Sequence, residues 1–233
     1  MNFKKKVLSG FLVILSFTLY AQDEDSDRKP VKYFSNHQLY VDVYHESWLN
    51  APEHIDFDPL SLGVEIKAVY VLAGKHSNVC LTTGLSLHTQ NLRMNSKPAT
   101  QDGYTDFYNI PENLDYAKNK FNITYIDIPI EVRIRSNPNH DRKSYKIFLG
   151  FKGGYMLANH TKYIGELPAE PEVTKKIKEY NIKYILPYRY GLSARIGFGR
   201  FSASAFYSLT GLFEENKGPE MYPLSLGLGI SIF

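Results

Sequence analysis

The end of the chain alternates large aliphatic residues with very small ones. Successive side chains of a β-strand point to opposite faces, so a period of two residues predicts a strand with one fully apolar face. The apolar face carries Leu224, Leu226, Leu228, Ile230 and Ile232, and the small face carries Ser225, Gly227, Gly229 and Ser231.

Seven further segments show the same period. The clearest places Ile126, Ile128, Ile130, Val132 and Ile134 on one face. Most of the eight segments have ten or more residues, whereas strands of soluble domains average about 5–6. A tilted strand that crosses a membrane needs about 9–11 residues. The seven segments begin at His37, Leu60, Asn78, Asn122, Ser144, Lys183 and Arg200.

The connections between these segments alternate between short and long. Short connections fall at one end and longer ones at the other, which is typical of an even, up-and-down barrel with short periplasmic turns. We therefore predict an all-β fold, an eight-stranded antiparallel up-and-down transmembrane β-barrel over residues 37–233. Helical periodicity is confined to residues 171–180, in a long loop, where we predict a short amphipathic helical turn.

The polar face of the strands decides which way the apolar face points. Charges of both signs can pair inside a narrow bore, whereas Arg or Lys on lipid would cost about 2–4 kcal/mol each at mid-bilayer. An anion-selective lining and a soluble, lipocalin-like ligand-binding barrel with an apolar interior are the alternatives. The predicted barrel-interior charge network is Asp42, Glu46, Glu65, Lys67, Asp127, Glu131, Arg133, Arg135, Lys146, Lys152, Arg189 and Arg195.

The first residues have the composition of a secretory signal peptide. A basic start is followed by a roughly 15-residue apolar stretch and by Ala21, so we predict a signal peptide at 1–21 and a polar periplasmic tail at 22–36. The chain has 27 basic and 24 acidic residues. Removing Lys4, Lys5 and Lys6 with the signal leaves 24 of each. The neutral mature chain argues against a nucleic-acid partner.

Aromatic residues near the strand ends predict girdles at the two membrane interfaces. The terminal Phe233 is the predicted C-terminal insertion signal, although it lies one residue out of phase with the aliphatic face. The long-loop group is Trp48, Phe121, Tyr163, Tyr184, Phe213 and Tyr222, and the short-turn group is Phe34, Tyr145, Phe198, Phe201 and Phe233.

Few patterns in the chain indicate chemistry. The seven histidines lack the paired spacing of a metal site, and Cys80, the single cysteine, leaves no internal disulfide. Ser86 and His88 share a face, as a lipid A-modifying barrel enzyme would require, but the predicted phase points that face inward. We therefore predict no catalytic residues, no metal and no cofactor, and keep the lipid-modifying enzyme as the alternative.

The chain resembles the PorT-like outer-membrane β-barrel proteins of Bacteroidetes, a small porin-like family. The resemblance rests on the signal ending at Ala21-Gln22, the strand Tyr125-Ile-Asp-Ile-Pro-Ile130 and the GLG of the final strand. It covers nearly the whole mature chain. It implies export to the Gram-negative outer membrane, contact with outer-membrane lipid and insertion by the barrel-assembly machinery.

We expect a non-enzymatic role for this barrel, whether structural, adhesive or accessory to an envelope assembly. Loops on a rigid scaffold usually carry recognition, so the loops after the third and fifth strands are the candidates. Their tyrosines suit contact with an envelope protein or a glycan. These residues are Tyr104, Tyr108, Tyr116 and Tyr163.

Overall fold

A computed structural model of the protein describes residues 37–138, 143–168 and 170–232. The predicted signal peptide, the predicted tail and Phe233 lie outside these residues. Within them, no helix is long and apolar enough to cross a membrane. The strands are β1 (His37–Leu49), β2 (Leu62–Ala73), β3 (Val79–Arg93), β4 (Ser96–Gln101), β5 (Tyr104–Asn109), β6 (Tyr116–Arg135), β7 (Tyr145–Leu167), β8 (Glu170–Tyr180), β9 (Tyr188–Phe198), β10 (Phe201–Ser208) and β11 (Tyr222–Ser231).

Eight of these strands form a closed antiparallel ring. Its order is β1–β2–β3–β6–β7–β9–β10–β11, and β11 pairs with β1 to complete it. At this seam Val43 lies opposite Leu228 on one side and opposite Val64 on the other. The ring confirms the predicted eight-stranded up-and-down barrel, with the start of β1 and the end of β11 at its short-turn end.

Two strands continue beyond the others at the long-loop end, and β3 accompanies β6 as far as Arg93, opposite Lys120. β6 has 20 residues and β7 has 23, and β8 pairs with the outer part of β7, with Tyr180 opposite His160. The helical turn predicted for residues 171–180 is therefore wrong. Beyond the barrel rim, the edge of β7 offers unpaired backbone groups, and pairing with them satisfies more hydrogen bonds than one isolated helical turn would.

The loop between β3 and β6 contains a hairpin that the periodicity did not reveal. β4 pairs with β5, and the turn between them is Asp102-Gly103, both with positive φ (48° and 78°). An Asp-Gly pair with this geometry makes a tight two-residue turn that matches the twist of the flanking strands. The long loop is thus a folded element rather than an irregular connection.

The outer surface of the ring is apolar and its bore is polar. Leu228 is 73% exposed and Ile130 is 55% exposed, although both lie in the middle of strands. This distribution is the reverse of that in a soluble ligand-binding barrel, so the lipocalin-like alternative is wrong. The apolar band consists of Val43, Val64, Ile66, Leu81, Leu85, Ile128, Ile130, Val132, Ile134, Ile147, Leu149, Phe151, Leu192, Ile196, Leu226, Leu228 and Ile230.

Aromatic residues take different positions at the two ends. At the short-turn end Tyr145, Phe198 and Phe201 are exposed, as a girdle requires. At the long-loop end, several residues of the predicted girdle instead turn inward and close the mouth of the bore, because the folded loops give them an apolar core to enter. This apolar cap consists of Trp48, Ile55, Leu92, Met94, Phe107, Phe121, Ile123, Tyr125, Ile185, Leu212, Phe213 and Met221.

Because the apolar band faces outward, a charged substitution within it should lower the stability of the barrel in lipid. Ile130→Arg places a cation at the centre of the aliphatic face of β6 and should destabilise the barrel in lipid vesicles by about 2–4 kcal/mol. The matched control, Val173→Arg in the exposed outer strand β8, should change stability by less than about 0.5 kcal/mol. Urea unfolding in vesicles measures both, and equal effects of the two substitutions would contradict the outward orientation.

Candidate functional site

The twelve charged residues of the predicted network all lie in the bore. None is more than 4% exposed. β1 contributes Asp42 and Glu46, and β2 contributes Glu65 and Lys67. The others come from β6, β7 and β9, namely Asp127, Glu131, Arg133, Arg135, Lys146, Lys152, Arg189 and Arg195.

Two arginines of β9 bind carboxylates of other strands within the bore in bidentate fashion. The Nη1 and Nη2 atoms of Arg195 donate to the two carboxylate oxygens of Asp42 at 2.7 and 2.6 Å. The Nε and Nη2 atoms of Arg189 donate to those of Asp127 at 2.9 and 2.7 Å. Two parallel charge-assisted bonds fix the geometry of each pair. Arg195 therefore ties β9 to β1, three strands away in the ring, and Arg189 ties β9 to β6, on the other side of the intervening β7.

Two lysines make the corresponding pairs with glutamates. Lys152 Nζ lies 3.1 Å from Glu65 Oε1, and Lys67 Nζ lies 3.3 Å from Glu131 Oε1. The Tyr44 hydroxyl donates to the second oxygen of Glu65 at 2.9 Å. This extra donor satisfies a further lone pair of Glu65, and such additional hydrogen bonds are a condition for stable buried ion pairs.

Three basic residues lie towards the short-turn end of the bore. Arg133 donates to Gln38 and lies over the ring of Phe148, with 5.1 Å from its guanidinium carbon to the ring centroid. Arg135 donates to the carbonyl oxygens of Lys75 and Ser77 at 2.7 and 2.8 Å. Lys146 donates to the carbonyl of Gly199 at 3.0 Å. Arg135 and Lys146 thus hold the turns at this end.

Glycines give the carboxylates room in the bore. Gly154 lies directly opposite Asp127, and Gly229 lies directly opposite Asp42. A methyl group at either glycine would overlap the neighbouring carboxylate. The small face seen in the sequence is therefore the space into which the long charged side chains fit.

His88 is the residue of the network that the sequence analysis missed. Its Nδ1 atom lies 3.0 Å from Arg189 Nη2, and its Nε2 atom lies 2.8 Å from Glu46 Oε1. Because a guanidinium can only donate, Nδ1 accepts and Nε2 donates to Glu46. His88 therefore links the carboxylate of Glu46 to the Arg189–Asp127 pair. The alternation placed His88 on the inward face, but its hydrogen-bond partners lie on other strands and could not be assigned from the sequence.

A metal ion has no suitable ligand set in this cluster. Ligand atoms of Glu65, His88 and Asp127 lie within 4.8 Å of one another, which is close enough for a shared cation. Both ring nitrogens of His88 already make hydrogen bonds, however, and Asp127 is engaged by Arg189 on both oxygens. The cluster acts as an ion-pair network.

Ser86 and His88, the pair considered for lipid-modifying chemistry, both point into the bore. Both are buried, and they lie on the opposite side of the wall from the apolar outer surface. A lipid in contact with the outer surface therefore cannot reach them. Cys80 is also buried in the bore.

A cleft of about 720 Å³ lies above the apolar cap, between the β4–β5 hairpin and the inner face of the extended β6–β7–β8 sheet. Tyr108 and Lys97 line it from the hairpin, and Tyr163 and Glu179 line it from the sheet. The Lys97 ammonium lies 3.0 Å from the centroid of the Tyr163 ring. Partial burial lowers the pKa of Lys97, and the carboxylate of Glu179 opposes that shift. The cleft therefore offers aromatic surfaces and charges of both signs.

Two of the four loop tyrosines named from the sequence line this cleft. Tyr108 and Tyr163 do so, whereas Tyr104 and Tyr116 do not. Tyr116 instead lies beside Tyr163, with 6.2 Å between the ring centroids. Both loops named from the sequence thus contribute to the cleft, but their arrangement was not predicted.

One family profile matches most of the chain. The profile of the outer membrane protein beta-barrel domain matches residues 33–214. The crystal structure of Ail, the attachment invasion locus protein of Yersinia pestis, is 12% identical, with a TM-score of 0.34 over 84% of this chain and 97% of that chain. Its complex with the heparin analogue sucrose octasulfate is 11% identical, with a TM-score of 0.32 and the same coverage. No curated protein matches the chain.

The ion pairs of the bore generate the second prediction. Asp127→Asn leaves the buried guanidinium of Arg189 without its carboxylate and should destabilise the barrel by about 3–5 kcal/mol. Asp127→Asn combined with Arg189→Met should recover part of that loss, because it removes both charges. Urea unfolding measures both, with the exposed Glu112→Gln as the control. A loss below about 1 kcal/mol for Asp127→Asn would contradict the network.

Proposed function

The chain belongs to the outer membrane protein beta-barrel domain family, and we propose that it is a non-enzymatic, adhesive or structural barrel that presents a recognition cleft outside the membrane. The observation that carries this proposal is the cleft itself. It rests on β6 and β7, two strands of the barrel wall that continue beyond the rim, so the membrane-embedded barrel holds it rigidly.

The filled bore supports a role as a scaffold. The ion pairs fill the bore and join several strands of the ring, and the apolar cap of buried side chains lies above them. An eight-stranded barrel is just wide enough for side chains to fill. A barrel packed in this way serves to support its loops, and we propose that it does not conduct ions.

The cleft chemistry supports recognition of a glycan or an extended protein segment. Its volume falls within the roughly 300–1,000 Å³ typical of ligand sites. Aromatic faces such as that of Tyr108 stack on sugar rings or peptide planes, and Lys97 and Glu179 add charged contacts of opposite sign. Tyrosine is also enriched among the residues that dominate binding energy at interfaces.

The proposal also covers the export and membrane insertion of the chain. We propose that residues 1–21 are a signal peptide, that the barrel-assembly machinery inserts the chain, and that Phe233 contributes to that insertion. The PorT-like resemblance to proteins of Bacteroidetes supports this biogenesis. The short turns would then lie in the periplasm and the cleft at the cell surface.

The test of the cleft compares binding by three proteins displayed on cells. Tyr108→Ala with Glu179→Ala removes one contact from each wall of the cleft, and Tyr104→Ala removes an exposed tyrosine of the same hairpin outside it. Each protein is probed with a glycan panel and by photo-crosslinking in intact envelopes. The cleft variant should lose binding more than about tenfold, because such truncations cost about 2 kcal/mol each at binding hot spots.

The control should retain the binding of the unmodified protein. Equal binding by the unmodified protein and the cleft variant, with both folded in the membrane, would contradict the proposal. A matching loss in Tyr104→Ala would show that the hairpin, rather than the cleft, is the binding element.

A further inference from the structure

The outer face of β6 changes character in steps towards the long-loop end. Ile130 and Ile126 belong to the aliphatic face, Thr124 follows, and then Asn122 and Lys120. All five lie at positions that alternate with side chains pointing into the bore or the apolar cap, although Asn122 is itself buried and donates to Gln90 O and Asn91 Oδ1. The same surface of the barrel therefore passes from aliphatic to uncharged polar to cationic as it leaves the apolar band.

Four cations lie side by side at the top of this gradient. Arg93 of β3 is the cross-strand partner of Lys120, Lys120 is the partner of Lys162 on β7, and Lys162 is the partner of Lys178 on β8. We call these residues the cationic row. The next level repeats the pattern, since Ile164 lies between Lys118 and Lys176.

The row places like charges directly opposite one another, an arrangement that destabilises a sheet. Burial lowers the pKa of Lys120, and the neighbouring cations Lys118, Lys162, Arg93 and Lys178 lower it further. The pKa of Lys162 is lowered in the same way by desolvation and by adjacent lysines. Among the described residues, the charges that lower these two pKa values are all positive.

Within the described residues, the side-chain hydrogen bonds of the row are with neutral groups. Lys120 Nζ donates to Asn91 Oδ1 at 2.8 Å, and Lys178 Nζ donates to the Tyr180 hydroxyl at 3.4 Å. Glu179, next to Lys178 in sequence, lies in the cleft on the opposite face of the sheet. The row can therefore donate further hydrogen bonds, and an anionic ligand would relieve the repulsion between its cations.

We propose that the cationic row binds the phosphate groups of lipid headgroups in the outer leaflet of the membrane. Lys120 lies six residues beyond Ile126, which is about 15 Å along the membrane normal for a tilted strand. Lysine stems can lie along the wall and place their ammonium groups at the interface. The row is thus held at headgroup level, on the side of the wall that faces lipid.

The location of the cationic row favours a lipid over a soluble polyanion as its ligand. The row lies on the flank of the barrel, on the surface continuous with the apolar band, whereas soluble ligands approach the cleft on the other face of β7 and β8. A phosphorylated glycolipid packed against that band would set its acyl chains beside Ile126 and its phosphates beside Lys120 and Lys162. This inference depends on membrane insertion and is independent of the ligand of the cleft.

The experiment uses folded protein in neutral detergent, with phosphorylated lipid A as the probe. The row variant is Lys162→Gln with Lys178→Gln. The control, Lys75→Gln with Lys143→Gln, removes the same charge at the short-turn end. Thermal melting and native mass spectrometry report stability and bound lipid. Removal of each lysine of the row should weaken lipid binding about fivefold, and the control should bind as the unmodified protein does.

The sign of the stability change separates the proposal from a structural role of the lysines. Without lipid, the row variant should melt at a higher temperature than the unmodified protein, because a repulsion has been removed. Phosphorylated lipid A should raise the melting temperature of the unmodified protein more than that of the row variant. The difference between the two melting temperatures should therefore shrink or change sign. If the row variant does not fold, Lys162→Gln alone provides the same comparison.

Three results would overturn the proposal. The row variant could bind phosphorylated lipid A as tightly as the unmodified protein. Dephosphorylated lipid A could stabilise the unmodified protein equally, which would show apolar contact only. Inorganic phosphate or a soluble sulfated glycan could stabilise it as well as the lipid at equal anion concentration, which would assign the row to a soluble anion.

Discussion

The structure depends on the pairing of buried charges within a bore that lipid surrounds. An ionised side chain in the barrel wall can point either to the lipid or into the bore, and only the bore supplies counter-charges and hydrogen-bond donors. Asp42 and Asp127 each receive two bonds from one guanidinium, and Glu65 receives a lysine and a tyrosine hydroxyl. Once these groups are committed to the bore, the period of two residues sends every aliphatic neighbour outward. The closed ring then satisfies the backbone without leaving an edge in the membrane.

The same strands carry the structure beyond the membrane. β6 and β7 continue past the rim, and β8 covers the free edge of β7. One face of this extension encloses the cleft with the β4–β5 hairpin, and the other continues the outer wall and ends in the cationic row. The alternation that separates lipid from bore within the membrane thus separates a candidate binding cleft from a candidate lipid-headgroup surface above it.

The sequence predicted the features that follow from local periodicity. The eight strands of the barrel and the face of each charged residue can be assigned from the alternation alone, because the side-chain period is fixed by the backbone. The pairing of these charges cannot be assigned from the sequence. Arg189 and Asp127 are distant in sequence, and the choice of Asp127 over another acid depends on the register and stagger of the strands around the ring. His88 was missed for the same reason.

The errors fall where non-local contacts override local preference. Residues 171–180 have a helical pattern, yet they pair with the free edge of β7. Trp48 and Phe213 were expected at the membrane interface, yet they enter the apolar cap because the folded loops enclose it. The Asp102-Gly103 turn is a recognisable local feature, but the hairpin that it closes gains its position from contacts with distant strands.

Fluorescence quenching by bilayer lipids with brominated acyl chains reports directly which face of the barrel wall contacts lipid. In a Trp48→Phe background, Phe151→Trp reports from the outer face of β7 and Phe148→Trp reports from its bore face. The two positions lie on one strand, three residues apart, and differ in the direction of the side chain. We expect strong quenching at position 151 and little at position 148. Equal quenching at both positions, or stronger quenching at 148, would contradict this expectation.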